Sequence, residues 1–124
     1  MELTEIYTDA AGETHFRKIE IALALRNFAP PSEPIQLSQE MPATSGVFLV
    51  APPGWDKAFH PTPRKQLAVM LKGEATVSAS DGETVEFMPG DVILLNDQEG
   101  KGHLTQILGD RHATVLLIGL DETR

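Results

Sequence analysis

The chain of 124 residues contains no cysteine. Disulfide staples, thiolate metal sites and cysteine nucleophiles are therefore excluded, and packing must hold the fold together. A reducing cytoplasm suits such a chain, and a cytoplasmic location is expected. Basic residues are also scarce: 10 Lys and Arg stand against 18 Asp and Glu, a formal net charge of -8. That balance repels phosphate backbones and anionic lipid surfaces, and the bases form no run, so nucleic acid is not an expected partner. No stretch approaches the ~18 continuous apolar residues of a membrane span, and Met1 to Tyr7 lacks the basic and apolar regions of a secretion signal. The chain reads as neither secreted nor membrane-spanning. Helical periodicity is missing, as are a glycine-rich phosphate loop, a nucleophile elbow and a His-Glu-x-x-His helix, which leaves nucleotide hydrolysis, serine hydrolase and zincin chemistry without support.

What is present is one domain over residues 1–124, with a radius of gyration of roughly 14 Å and about two thirds of its unfolded surface buried. Apolar and β-branched runs of four to eight residues recur between Gly, Pro, Asp and Asn, the spacing of an all-β sandwich or barrel. Glu5 to Asp9 and Thr14 to Ala22 read as an N-terminal β-hairpin around Ala11-Gly12, followed by a loop through Pro30, Pro31 and Pro34 that no helix would tolerate. This arm, residues 1–44, is expected to precede a core over 45–120. Strands are expected at Ser45 to Ala51, Gln66 to Lys72, Ala75 to Ser80, Glu83 to Phe87, Asp91 to Leu95, His103 to Leu108 and Ala113 to Gly119. Between them, Asp81-Gly82 reads as a type I′ turn, Pro89-Gly90 as a type II turn and Gly109 to His112 as a further hairpin loop.

The strand from Gln66 is apolar on both faces: Gln66, Ala68 and Met70 point one way, Leu67, Val69 and Leu71 the other. If one face lines the core, the other needs a second sheet, the N-terminal arm or another subunit, since monomers rarely expose a large apolar patch. A homodimer is the economical expectation.

The segment Gly54-Trp-Asp-Lys-Ala-Phe-His60-Pro-Thr62-Pro-Arg-Lys-Gln66, running through six residues to Gly73, spaces polar side chains as a β-barrel metal site does. It resembles the first motif of the cupin family, which reads glycine, five residues, histidine, one residue, histidine, three or four residues, glutamate, six residues, glycine. Here Gly54, His60, Thr62, Gln66 and Gly73 hold those positions, with Thr for the second histidine and Gln for the glutamate. The second family motif runs from a glycine through five residues to a proline, then a residue, a glycine, two residues and a histidine. Gly90 and Asp91 to Leu95 match its start, Asn96 stands at the proline, and His103 arrives two residues late after the glycine-rich loop from Asn96 to Gly102. The resemblance covers Gly54 to about His103. It implies an all-β jelly-roll β-barrel, the double-stranded β-helix of cupins, with the first-motif residues and the late histidine converging inside on a divalent metal.

Parity supports the convergence, because residues 60, 62, 66, 68 and 70 share one parity and His103 shares a face with Thr105 and Ile107. The implied metal ligands are His60, Gln66 and His103. Two imidazoles and an amide oxygen make a neutral set, which suits zinc or nickel weakly and lacks the carboxylate that favours non-haem iron. Asp56, Asp97 and Glu99 are alternative ligands, with solvated loop acids as the preferred reading; His15 and His112 lie outside the motifs and read as ordinary residues.

Three functions stay open. With a metal (Zn, Ni or Fe), the site would polarise or oxygenate a small oxygenated substrate. Without one, His60 and His103 form a proton-transfer pair, as in metal-free sugar epimerases on the cupin scaffold. In the third, the barrel only holds a sugar or small acid among Trp55, His60, Thr62, Gln66, Met70 and His103. Trp55 and Phe59 flank the motif at the barrel mouth or pack on the Pro52-Pro53 turn, and Arg64, Lys65 and Lys101 are the bases nearest the motifs.

Overall fold

Burial alternates along Gln66–Lys72 as its sequence demands: Gln66, Ala68 and Met70 are buried, Leu67 and Val69 half-buried, and Leu71 exposed. The same period repeats through the structure, a computed structural model that describes residues 1–122. Residues 123 and 124 of the expected single domain lie outside the described residues. Strands follow in the order β1 Glu2–Thr8, β2 Thr14–Glu20, β3 Ala24–Arg26, β4 Ile35–Leu37, β5 Ala43–Ala51, β6 Gln66–Lys72, β7 Ala75–Ala79, β8 Thr84–Phe87, β9 Val92–Asn96, β10 His103–Ile107 and β11 Ala113–Leu120. The protein is all-β, and among the described residues no helix is long and apolar enough to cross a membrane.

The strands form a six-stranded sheet in the order β2-β1-β9-β6-β11-β5, a three-stranded sheet β10-β7-β8 and the small pair β3-β4. Between the two larger sheets lies one core, built on Ile6, Met70, Val77, Phe87 and Ile93. Each such side chain contributes about 1.5–3 kcal/mol by leaving water. The sheets do not close into the barrel expected from the sequence. Neither edge of the smaller sheet carries a ladder to the larger one. Among the described residues the bridge beside β10, His60 to His103, stops after a single pair, because the next amide in register, that of Thr62, donates to the Asp97 carbonyl.

Four further sequence expectations need correction. The N-terminal hairpin is not an arm outside a 45–120 core: β1 pairs in parallel with β9, and Ile6 is fully buried, so its apolar side is core. The loop after it contains the short antiparallel pair β3-β4, whose three-residue strands are too brief for a periodic signal. Gly109 to His112 is a crossover rather than a hairpin loop, because β10 pairs with β7 while β11 pairs with β5 and β6. Pro89-Gly90 behaves as expected, with Gly90 at φ +92° and the Asp91 amide donating to the Met88 carbonyl at 2.9 Å. Asp81-Gly82 does not: among the described residues only glycines have positive φ, so Asp81 cannot take its place in a type I′ turn. The chain turns instead over Ser80 to Gly82, with the Ala79 amide donating to the Glu83 carbonyl at 2.9 Å.

Polar contacts lock the two large sheets together at this turn. Buried Thr14 takes the Ser80 amide on its hydroxyl at 2.8 Å and donates to the Gly102 carbonyl at 2.7 Å. Beside it, His15 is held between two carboxylates, Nε2 to Asp9 at 2.7 Å and Nδ1 to Asp81 at 2.8 Å, joining the β1-β2 turn to the β7-β8 turn. The hydrogen bonds from Asp9 and then Asp81 raise the His15 pKa above its ordinary 6.5, against a smaller opposing effect of burial. His15 in turn lowers the Asp9 pKa.

A raised histidine pKa stabilises the fold fully below the unfolded value and loses that contribution as pH climbs through the folded one; the lowered Asp9 pKa removes its share only as pH falls below the ordinary carboxylate range. The clasp is therefore strongest between about pH 4 and 6.5. The melting temperature of the wild type should exceed that of His15→Gln in this window, and the gap should close as pH rises toward 9. Differential scanning fluorimetry checks this, and a gap independent of pH would show that the clasp carries no charge-dependent stability.

Candidate functional site

The segment from Pro52 to Lys65 crosses the open seam between the sheets, and its prolines keep it out of either ladder. One glycine fixes where it lands. Gly102 is buried with φ +76°, and a Cβ there would be driven into the backbone of His60 and Pro61. That close approach lets His60 and His103 exchange both backbone hydrogen bonds, at 3.0 and 2.9 Å. Their rings then lie 5.0 Å apart, inclined at 55°. The Thr62 amide extends the contact by donating to the Asp97 carbonyl at 3.2 Å.

Each imidazole has its own carboxylate. His103, 5% exposed, shares its Nδ1 with Asp97 Oδ2 at 2.6 Å, and Asp97 is completely buried. A carboxylate oxygen accepts, so the shared proton belongs on Nδ1, and Nε2 is the ring nitrogen left without a partner. Asp97 Oδ1 is buried without a hydrogen-bond partner. Across the seam, His60 Nε2 meets Asp56 Oδ2 at 3.0 Å and its Nδ1 meets the Pro61 carbonyl at 3.1 Å. Both partners are acceptors, so satisfying both places a proton on each ring nitrogen. Burial opposes that charge, but the Pro61 carbonyl and Asp56, with Asp97 nearby, outweigh it and raise the His60 pKa above its ordinary value. Asp56 Oδ2 also accepts the Thr105 amide at 2.9 Å, which ties its loop to β10.

These residues rim a cavity of about 230 Å³ between the two large sheets. Trp55, His60, Thr62, Gln66, Met70 and His103, singled out in the sequence, all line it, as does Thr105. Trp55 stands at the mouth, half-exposed and edge-on to His60 at 6.5 Å, while Phe59 does not line the cavity. Gln66 donates through its amide to the Thr62 hydroxyl at 3.1 Å, and Thr62 donates onward to the Arg64 carbonyl at 2.8 Å. Arg64 reaches Ser45, Lys101 pairs with Glu13, and neither they nor Lys65 line the cavity.

The reading of Asp56 and Asp97 as solvated loop acids is overturned for both, because each is drawn inward by a histidine and by backbone amides or carbonyls. Glu99 is exposed, as expected. A signal for Asp56 existed in its position four residues before His60; Asp97 carried only its place directly after the β9 run. Of the three-ligand metal set of His60, Gln66 and His103, both His60 nitrogens and one on His103 are engaged in hydrogen bonds, whereas His103 Nε2 and the Gln66 amide oxygen are not. Among the described residues no group of three or more His, Asp or Glu is disposed to hold a metal ion. No protein-family model matches the chain, and no curated protein sequence matches it.

Removing the Asp97 acceptor should unlock the His103 ring. Asp97→Ala is expected to lose about 1–3 kcal/mol in urea unfolding and to replace the single Nδ1-H tautomer with a mixture in long-range nitrogen-proton NMR spectra. A loss under about 0.5 kcal/mol, the range of an ordinary surface change, with an unchanged tautomer would show that the couple does not form.

Proposed function

We propose that this chain is a jelly-roll protein of the cupin type whose cavity binds a small molecule and moves protons on it without a metal, as an isomerase or epimerase does. One observation carries the reading: two imidazoles, each backed by its own carboxylate, face each other across the mouth of an otherwise apolar cavity. Identical side chains in unequal surroundings are how a site separates an acid from a base. His103, with its Nδ1 proton held by Asp97, is the base, acting through Nε2. His60, protonated between Asp56 and Pro61, is the acid and the cationic partner for a developing oxyanion. The unpartnered oxygen of Asp97 supports the assignment, since an orphan buried carboxylate oxygen is unfavourable and such costs gather at functional positions. The order Gly54, His60, Thr62, Gln66, Gly73, with His103 late, supports the cupin reading; so do the face-to-face sheets with a cavity between them.

The apolar lining favours a second reading, in which the cavity binds its ligand and never turns it over. Protein purified in chelator distinguishes these readings. Exchange of solvent deuterium into a bound carbonyl compound, slowed at least about a hundredfold in His103→Gln, is expected for the acid-base site, in line with the usual 10²–10⁴ from a positioned acid or base. Exchange that requires added zinc or nickel would overturn the metal-free reading, and binding with no exchange would leave the binding module.

We also infer that the chain pairs with a second copy. Strand β5 is a nine-residue sheet edge without charge or proline, and Phe48 and Val50 on its outward face are 72% and 62% exposed. Isolated monomers ordinarily protect such an edge. Light scattering after gel filtration should give a dimer mass for the wild type and a monomer mass for Phe48→Lys. A monomeric wild type would overturn the pairing.

A further inference from the structure

The cavity's polar groups form one continuous rim. Gln66 bonds Thr62, the Thr62 amide bonds Asp97, Asp97 holds His103, and His60 and Asp56 follow to the Thr105 amide. Beyond the rim the wall is hydrocarbon and aromatic: Met70, Val77, Phe87, Ile93, Ile107 and Leu117. A ligand that fills this space must therefore be apolar over most of its surface.

Charge narrows the choice. Among the described residues no lysine or arginine lines the cavity, while Asp56 and Asp97 stand directly behind the two histidines. A carboxylate or phosphate would lose its water and meet these anions, with only His60 to oppose them. Hydrogen-bonding capacity narrows it again. His60 spends both nitrogens, Thr62 both donates and accepts, and His103 and Gln66 each spend one group. His103 Nε2, the remainder of the Gln66 amide and the Thr105 hydroxyl are left, enough for one oxygen and its neighbouring C–H. A sugar would bury several hydroxyls with nothing to bond. The volume, about 230 Å³, sits below the usual span of drug-sized sites.

We propose that the cavity selects a small, uncharged, largely apolar ketone or aldehyde, its oxygen at the rim and its hydrocarbon body among the sheet side chains. This rests on the acid-base reading of the same site and departs from the sugars and small acids expected from sequence. The step it supports is redox-neutral. His103 Nε2 takes the proton from the carbon beside the carbonyl, that C–H pair becomes the C=C bond of the enol form, and the carbonyl π pair moves to oxygen, which takes a proton from His60 as that ring gives up one of its two hydrogen bonds. Return of the carbon's proton from His103 to either face, or to a conjugated carbon, and of the hydroxyl proton to His60 completes epimerisation or double-bond migration.

The test titrates the full chain, in chelator, with 4-tert-butylcyclohexanone, 4-tert-butylcyclohexanecarboxylate and methyl glucoside, following binding by calorimetry and α-deuteration by NMR. The ketone is expected to bind at least about tenfold tighter than the carboxylate, the glucoside not to saturate, and deuterium to enter the ketone. Thr105→Lys, which adds a cation to the rim, should narrow or reverse the ketone preference while the ultraviolet circular dichroism stays that of the wild type. A carboxylate or glucoside bound as tightly as the ketone would overturn the ligand class and leave the acid-base pair standing. Ketone bound without deuterium uptake would uphold the class and remove the acid-base reading. No binding by any of the three would remove both.

Discussion

The close approach at Gly102 is the constraint on which the rest of the site depends. Without a side chain, and in a left-handed conformation, this residue lets the His60 segment reach the start of β10. The resulting pair of backbone hydrogen bonds fixes both histidines with backbone precision rather than through flexible side chains. The same residue offers its carbonyl to buried Thr14, so the mouth of the cavity and the lock between the sheets share one short stretch of chain. Any shift there moves the site and the packing together.

That bridge is also why the cavity is open. A longer ladder between the His60 segment and β10 would seal the seam between the sheets, but the next amide in register, that of Thr62, donates to the Asp97 carbonyl instead. The seam instead admits two imidazoles and two carboxylates into a wall that is otherwise hydrocarbon. Burying them is costly, and the cost is offset by the hydrogen bonds that pair each imidazole with its carboxylate and by those from the Thr105 amide to Asp56 and from His60 to the Pro61 carbonyl.

Strand positions were legible in the sequence because burial alternates with period two and the turns carry glycine and proline; β6 was bounded correctly at both ends by those signals. The topology was less so. Nothing in Glu2–Thr8 says that it will pair in parallel with β9, more than eighty residues later, and nothing in Gly109 to His112 separates a crossover from a hairpin. At the site, parity put His60, Gln66 and Met70 on one face, and these residues line the cavity together with His103. The carboxylates were missed because an aspartate in a polar loop looks the same whether it faces water or a histidine. Only the three-dimensional closure at Gly102 tells the two apart.

The neutral amide at Gln66 then takes on a meaning that spacing alone did not give it. A glutamate at this position would add a third buried carboxylate to Asp56 and Asp97, in a cavity that among the described residues no lysine or arginine lines. The neutral amide avoids that repulsion and occupies the Thr62 hydroxyl, while the negative charge of the rim is moved one layer back, behind the rings. Charge placed there orients and polarises the imidazoles without blocking their ring faces. The neutral groups of Thr62 and Gln66 and the inward turn of Asp56 and Asp97 thus act together: uncharged polar atoms line the cavity, and the carboxylates stand behind its two imidazoles.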